Sequence, residues 1–274
     1  MALVSQGQLE KLIGGRLTAV RHESANQTWV GYGAPNRRPV FVKVFPKDRA
    51  AKFVTERLVT QQLGNRLLAS YECSNADILV LSDCAPRDVV QITPVVAQAM
   101  GRCLAEFHQR IRPFPEIKRQ RFDFDQAERA IQRLKKPQVQ HQLTDLLRKF
   151  APFRQQITRE VAETPLVVTH GDVGQRNFKI VAGRLTLIDY ERCKLGLPDQ
   201  DFVKLFYQDF QCQRVLQRAF LTGYTAIRSR PQLTVKTQQF LIFLTAIGIF
   251  NYLDQFSDVA FERCVHRMLA TLDP

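Results

Sequence analysis

The sequence has no pair of cysteines at CxxC spacing and no histidine placed to complete a metal site with them. Neither a zinc module nor a disulfide framework is expected, and Cys73, Cys84, Cys103, Cys193, Cys212 and Cys264 read as reduced thiols. Long apolar runs are also missing. The densest, residues 240–250 (FLIFLTAIGIF), is shorter than the roughly 20 residues that span a bilayer and ends at Asn251, which favours a buried core helix and no membrane span. The start, MALVSQGQLEKLIGG, lacks the charged opening, apolar centre and small-residue cleavage site of a secretory leader. It reads as a short helix capped by Ser5, so a soluble, cytoplasmic protein is expected. Acidic residues are scarce beside basic ones, 26 against 39, for a net charge of +13 over 274 residues. Such a surface attracts anions. Its densest pieces, residues 118–121 (KRQR), 133–136 (RLKK) and 228–230 (RSR), are short and lie among helical patterns, with no RNP-like, zinc-finger or KH signature, so dedicated nucleic-acid binding is not expected.

The part before about residue 85 is rich in strand signals. Residues 16–22 (RLTAVRH), 28–33 (TWVGYG) and 39–45 (PVFVKVF) predict an antiparallel meander separated by turn-forming ESANQ and APNRR. Residues 48–64 predict a helix that stops at Gly64, and residues 76–83 (ADILVLSD) one more buried strand. Beyond Ile92 the pattern becomes helical. Thr93 caps a helix with Pro94 in its first turn and Val96, Met100, Leu104 and Phe107 on one face. Helices are predicted over 124–134, 139–159 and from Asp201 onward, interrupted by short strands around LVVTH and RLTLIDY. The expected fold is α+β, with a small antiparallel-sheet lobe (residues 1–84) followed by a larger, mainly helical lobe (residues 85–274).

Within residues 167–180 (VVTHGDVGQRNFKI), Asp172 stands five residues before Asn177. That spacing offers one carboxylate to align an attacking hydroxyl and one amide oxygen to bind a hard cation, the two needs of phosphoryl transfer. A second metal-binding carboxylate is expected at Asp189, held on an apolar strand by Leu185, Leu187 and Ile188 and folded back by a turn at Gly183. Oxygen-only ligands favour magnesium. In the small lobe Lys43 ends the apolar VFVK, where a strand lysine can reach ATP phosphates, and Glu56 follows on the next helix to pair with it.

Together these segments resemble the aminoglycoside phosphotransferase and choline kinase family, small-molecule kinases with a protein-kinase-like fold. The resemblance is carried by HGDVGQRN from His170, IDYE from Ile188 and GLPDQDF from Gly196, in which Asp201 takes the closing Asp and Leu197 replaces an Asp usual in the family. LAEFH, from Leu104 to His108, is similar to a family helix. The resemblance implies ATP and Mg2+, with nucleotide bound by the small lobe, catalysis and the acceptor site in the larger one, Asp172 catalytic and Asn177 and Asp189 on the metal. It implies that His170 packs behind the loop, and that Glu191 and Asp201 support the site without ligating directly. No GxGxxG loop is present, so donor phosphates would be covered by backbone amides around Ser24 and Asn26. Adenine would lie against the strand ending at Ser82 and Cys84.

The acceptor, a small-molecule hydroxyl, would sit between the helices of residues 114–159 and the C-terminal helices. The net positive charge opposes polycationic aminoglycosides, although Asp254, Asp258 and Glu262 could form a local acidic wall. A choline-type site needs an aromatic cage, for which Tyr207, Phe210, Tyr252 and Phe256 are candidates. A sugar, amino-alcohol or vitamin-like metabolite is favoured. The alternatives are an antibiotic phosphotransferase and a catalytically silent basic binding module.

Overall fold

The structure, a computed structural model, describes residues 4–20, 26–34, 37–64 and 66–273. Ser5 opens helix α1 (Gln6–Ile13) with a capping box, its hydroxyl accepting from Gln8 N while its own N–H donates to Gln8 Oε1. Strands β1 (Arg16–Ala19), β2 (Gln27–Gly33) and β3 (Arg38–Pro46) form the expected meander. Helix α2 (Ala50–Leu63) stops at Gly64, whose φ of 94° suits a residue without Cβ. Next comes β4 (Leu67–Glu72), which pairs antiparallel with β5 (Ala76–Ser82). The sequence reading has no strand here because LLASYE is half-buried over most of its length and shows no alternation. Among the described residues these strands make one five-stranded sheet in the order β1-β2-β3-β5-β4.

The period-two alternation of β3 decides where the chemistry goes. Val40, Val42 and Val44 enter the core beneath α1 with Ile78 and Val80, while Phe45 packs with Phe53 of α2 and with Leu79 and Leu81 on the opposite face. Lys43 shares that second face with Phe45, which turns it towards α2.

Past the sheet run β6 (Arg87–Asp88), α3 (Pro94–Arg110), α4 (Phe124–Gln132), α5 (Pro137–Phe150) and α6 (Arg154–Glu163). The single helix expected over 139–159 is divided by a 3-10 turn at Ala151–Phe153, where Pro152 has no N–H to continue the ladder. Then follow β7 (Val167–Thr169), β8 (Phe178–Val181), β9 (Arg184–Leu187), β10 (Lys194–Gly196), α7 (Gln200–Lys204), α8 (Arg214–Thr225), α9 (Val235–Leu253) and α10 (Val259–Ala270). The apolar run lies in α9, where Phe240, Phe243 and Phe250 are buried with Phe124 and Phe150. No described helix is long and apolar enough to cross a membrane.

Helix α3 is the backing plate for the later strands, and it meets α8 almost backbone to backbone. A Cβ at Gly101 would fall 2.0 Å from Phe220 O, and one at Gly223 would fall 1.9 Å from Gln98 O. Gly101→Ala must therefore separate the two helices. Its expected cost lies at the upper end of the about 1–3 kcal/mol of an overpacked core, read as a lower Tm in thermal unfolding.

Candidate active site

The chain turns from β7 into the Asp172 loop, and Asp201 holds that turn in place. Its carboxylate accepts from His170 N at 2.6 Å and Gly171 N at 2.8 Å, and it meets His108 Nε2 of α3 at 3.0 Å. The second His108 nitrogen meets the Tyr224 hydroxyl of α8 at 2.9 Å. Gly171 has a φ of 77° and would place a Cβ 2.2 Å from Arg192 O, so only glycine fits. Behind the loop Phe107 and Tyr190 stack at 5.7 Å, and His170 meets both edge-on at 5.8 and 5.6 Å. Burial lowers the His170 pKa, and its Nε2 donates to Ile188 O at 2.9 Å. A neutral, packed imidazole is a structural part of this loop. Asp201→Ala orphans the buried His170 N–H and the His108 ring, each costing about 1–3 kcal/mol, and frees the partly buried Gly171 N–H at less cost. A large fall in Tm is expected, with turnover lost in proportion to displacement of the loop, and Asp201→Asn should recover part of both.

Asn177 and Asp189 enter one cleft with Lys43, Glu56, Asn26 and Asp83. The Asn177 Nδ2 donates to Asp172 O at 2.7 Å, and Asn177 O accepts from Ile188 N at 3.0 Å, so the Asp172 loop and the end of β9 are tied through one residue. With its nitrogen committed, the amide presents Oδ1 to the cleft. Asp189, just past β9, adopts a φ of 70°, an uncommon conformation for a residue other than glycine and one that concentrates at functional sites.

The Lys43 ammonium lies 2.8 and 2.7 Å from the two Glu56 oxygens and 2.6 Å from Asp189 Oδ1. Burial opposes its charge, but the two carboxylates outweigh burial and raise its pKa. Asp189 is in turn kept ionised: burial would raise its pKa, and Lys43 more than offsets that. Glu56, Asp189 and Glu191 each bring an oxygen within 4.8 Å of the others. Both Glu56 oxygens are committed to Lys43, whereas Asp189 gives it only Oδ1 and keeps Oδ2. Glu191 accepts from Asn26 Nδ2 and Arg49 Nη2, each at 2.6 Å. The set best suited to a hard divalent cation is therefore Asn177 Oδ1 with the Asp189 carboxylate.

A family model described as a phosphotransferase enzyme family matches residues 17–233. The chain belongs to that family. Solved structures share its fold at low identity. A spectinomycin phosphotransferase in complex with ADP and spectinomycin aligns with a TM-score of 0.65 at 11% identity over 98% of each chain. Choline kinase LicA from Streptococcus pneumoniae aligns with 0.65 at 14% over 97% of each chain. An amicoumacin kinase in complex with AMP-PNP and Ca2+ aligns with 0.62 at 14%, over 93% of this chain and 88% of that one. A search of curated proteins finds no match. The fold is accordingly the two-lobed, protein-kinase-like α+β architecture.

In this phosphotransferase the remaining expected contacts are distributed unevenly. Ser24 lies outside the described residues. Ser82 has its N–H committed to Arg66 O at 2.7 Å, while its carbonyl is approached by Arg66 Nη2 at 3.4 Å, and Cys84 follows just beyond the end of β5. Of the acidic wall, Asp258 caps α10 by accepting from Phe261 N at 3.0 Å, and Asp254 accepts from Lys135 N at 2.7 Å. Phe210 is fully buried, whereas Tyr252 and Phe256 are exposed and 4.9 Å apart.

Three partners of Asp172 lie outside the sequence reading: Lys204 Nζ at 2.5 Å from Oδ1, Arg176 Nη2 at 2.8 Å and Arg192 Nε at 3.9 Å from Oδ2. Burial would raise the Asp172 pKa, but these cations outweigh it and hold the carboxyl well below the usual range. Arg176 lies inside the motif and Arg192 just after IDYE, so their nearness in sequence is a usable signal. Lys204 carries no spacing signal, because only the packing of α7 brings it to the loop.

Proposed function

We propose that this phosphotransferase moves the γ-phosphate of ATP to a hydroxyl of a small molecule with magnesium bound. In this reading Asp172 faces the acceptor, Asn177 and Asp189 hold the metal, and Lys43, positioned by Glu56, meets the donor phosphates. The supporting observation is the continuous chain Glu56–Lys43–Asp189 across the cleft, joined through Ile188 and Asn177 to Asp172. Bound magnesium would supply charge neutralisation on the phosphates. The donor set present, an amide oxygen and a carboxylate, fits it.

Asp172 acts on the acceptor hydroxyl. A carboxylate held so far below its usual range is a weak base, so it orients the O–H first. It takes the proton late, as the new O–P bond forms and the bond from γ-phosphorus to the bridging oxygen breaks, with ADP leaving. Lys43 stabilises the donor phosphates, and Asp201 keeps the loop from drifting. The catalytically silent alternative has little support from a site in which each of these side chains is present and paired. The test is acceptor-dependent ADP release over a panel of sugars, amino alcohols and vitamin-like alcohols with ATP and magnesium. At least one is expected to stimulate release. A protein that neither binds ATP nor releases ADP with any of them would remove the reading.

A further inference from the structure

The carboxylate that an acceptor hydroxyl must approach is ringed by cations. Arg176 and Arg192 keep 65% and 51% of their side chains exposed, so they can meet a ligand as well as Asp172. Lys204 does something further: its ammonium also lies 5.1 Å over the Phe261 ring, which itself packs on Tyr252 at 5.1 Å. The Phe261 face nearest Asp172 is thus already occupied by a cation of the protein. Asp189, held by Lys43, and Asp209, whose pKa desolvation raises, are the other carboxylates beside Arg176. With Asp189 paired to Lys43, the cations Arg176, Arg192 and Lys204 face Asp172 and Asp209.

The basic run at 118–121 belongs to the same surface. Leu195 N donates to Lys118 O at 2.9 Å and Gln120 N to Leu195 O at 2.8 Å, which lays the run along β10. Lys194 of β10 pairs with Thr169, directly before His170. Lys118 and Lys194 are exposed, and among the described residues neither forms an ion pair. The Lys194 pKa is lowered, by desolvation first and then by the like charges of Arg192, Lys118 and Lys52. Neutralising a transferred phosphate would explain Arg176 and Lys204. It does not explain Lys118 and Lys194, which do not line the nucleotide cleft.

We propose that Lys118, Arg192 and Lys194, continuous with Arg176 and Lys204 at Asp172, form a subsite for an anionic group of the acceptor, so that the hydroxyl compound phosphorylated here carries a phosphate or a carboxylate. This rests on the phosphotransfer reading above. The experiment compares acceptors matched in skeleton and different in charge: glycerol, glycerol phosphate and glycerate; ribose, ribose phosphate and ribonate; and ethanolamine and kanamycin as cations. Each is scored for ADP release above the acceptor-free ATP hydrolysis rate. The phosphate or carboxylate member of a set should exceed its neutral parent by about tenfold or more in kcat/KM, and kanamycin should be inert. For that acceptor, Lys118→Glu with Lys194→Glu should raise KM about tenfold with a smaller effect on kcat, and added salt should raise the wild-type KM. A preferred neutral or cationic acceptor would overturn the proposal. So would ATP hydrolysis that no anionic compound stimulates, or a charge-reversed protein with unchanged KM and normal ATP binding. Failure to bind or turn over ATP under any condition would remove the phosphotransfer reading along with it.

Discussion

Asp189→Ala is expected to abolish magnesium-dependent turnover while leaving the fold intact. The two halves of that expectation have separate grounds. Removing the carboxylate deletes one of the two proposed oxygen ligands, and metal charge stabilisation of a phosphoryl transition state is worth several kcal/mol. At about 1.4 kcal/mol per factor of ten, the loss in kcat/KM should reach about 10³ or more. The fold survives because Lys43 keeps both Glu56 oxygens within 2.8 Å and is not left as a bare buried charge. Alanine does inherit the left-handed backbone of φ 70° without an aspartate's tolerance for it, so a modest fall in Tm accompanies the change. ADP release across a magnesium titration, beside a melting curve, separates the effects. Undiminished activity with normal magnesium dependence would take Asp189 out of the metal site.

Asp172→Asn should lose chemistry alone. The amide is isosteric, and the proposed metal ligands and Lys43 are untouched, so ATP and magnesium should bind nearly as before. The expected fall in kcat is about 10²–10⁴, the scale of general-base and positioning losses. A pH profile adds a check of sign. The cations beside Asp172 depress its pKa, so its charged form, and whatever stability that charge contributes, persists as pH falls and is lost only below the ordinary carboxylate value of about 3.9. Any acid limb in the wild-type rate above about pH 4 must therefore come from another group. Replacing Asp172 should leave that limb where it was.

The sequence is most informative where chemistry and spacing coincide. Asp172 and Asn177 share one loop, Asp189 follows an apolar strand, and Lys43 lies within another that runs three residues past the end VFVK suggests, so local pattern is enough to anticipate that they meet. The two glycines between α3 and α8 and the three cations on Asp172 are not legible in the same way. Gly101 and Gly223, like Lys204, act across helix contacts that no local period encodes. Basic residues look like solvated helix faces in KRQR, yet that run lies extended against β10 beside the Asp172 loop. The missed β4 and the break at Pro152 have simpler causes: a half-buried strand shows no alternation, and helical spacing on both sides of a proline reads as continuous.

The central claim, phosphate transfer to a hydroxyl through Asp172, is tested most directly by following the phosphate. The purified protein is given magnesium and ATP labelled at the γ-position with the acceptor that most stimulates ADP release, and the products are separated. Label is predicted in a phosphomonoester of that acceptor, formed at the rate of ADP release and lost with Asp172→Asn even though that variant still binds ATP. Label recovered only as inorganic phosphate, or a phosphomonoester formed at the parental rate by the Asp172→Asn variant, would contradict it.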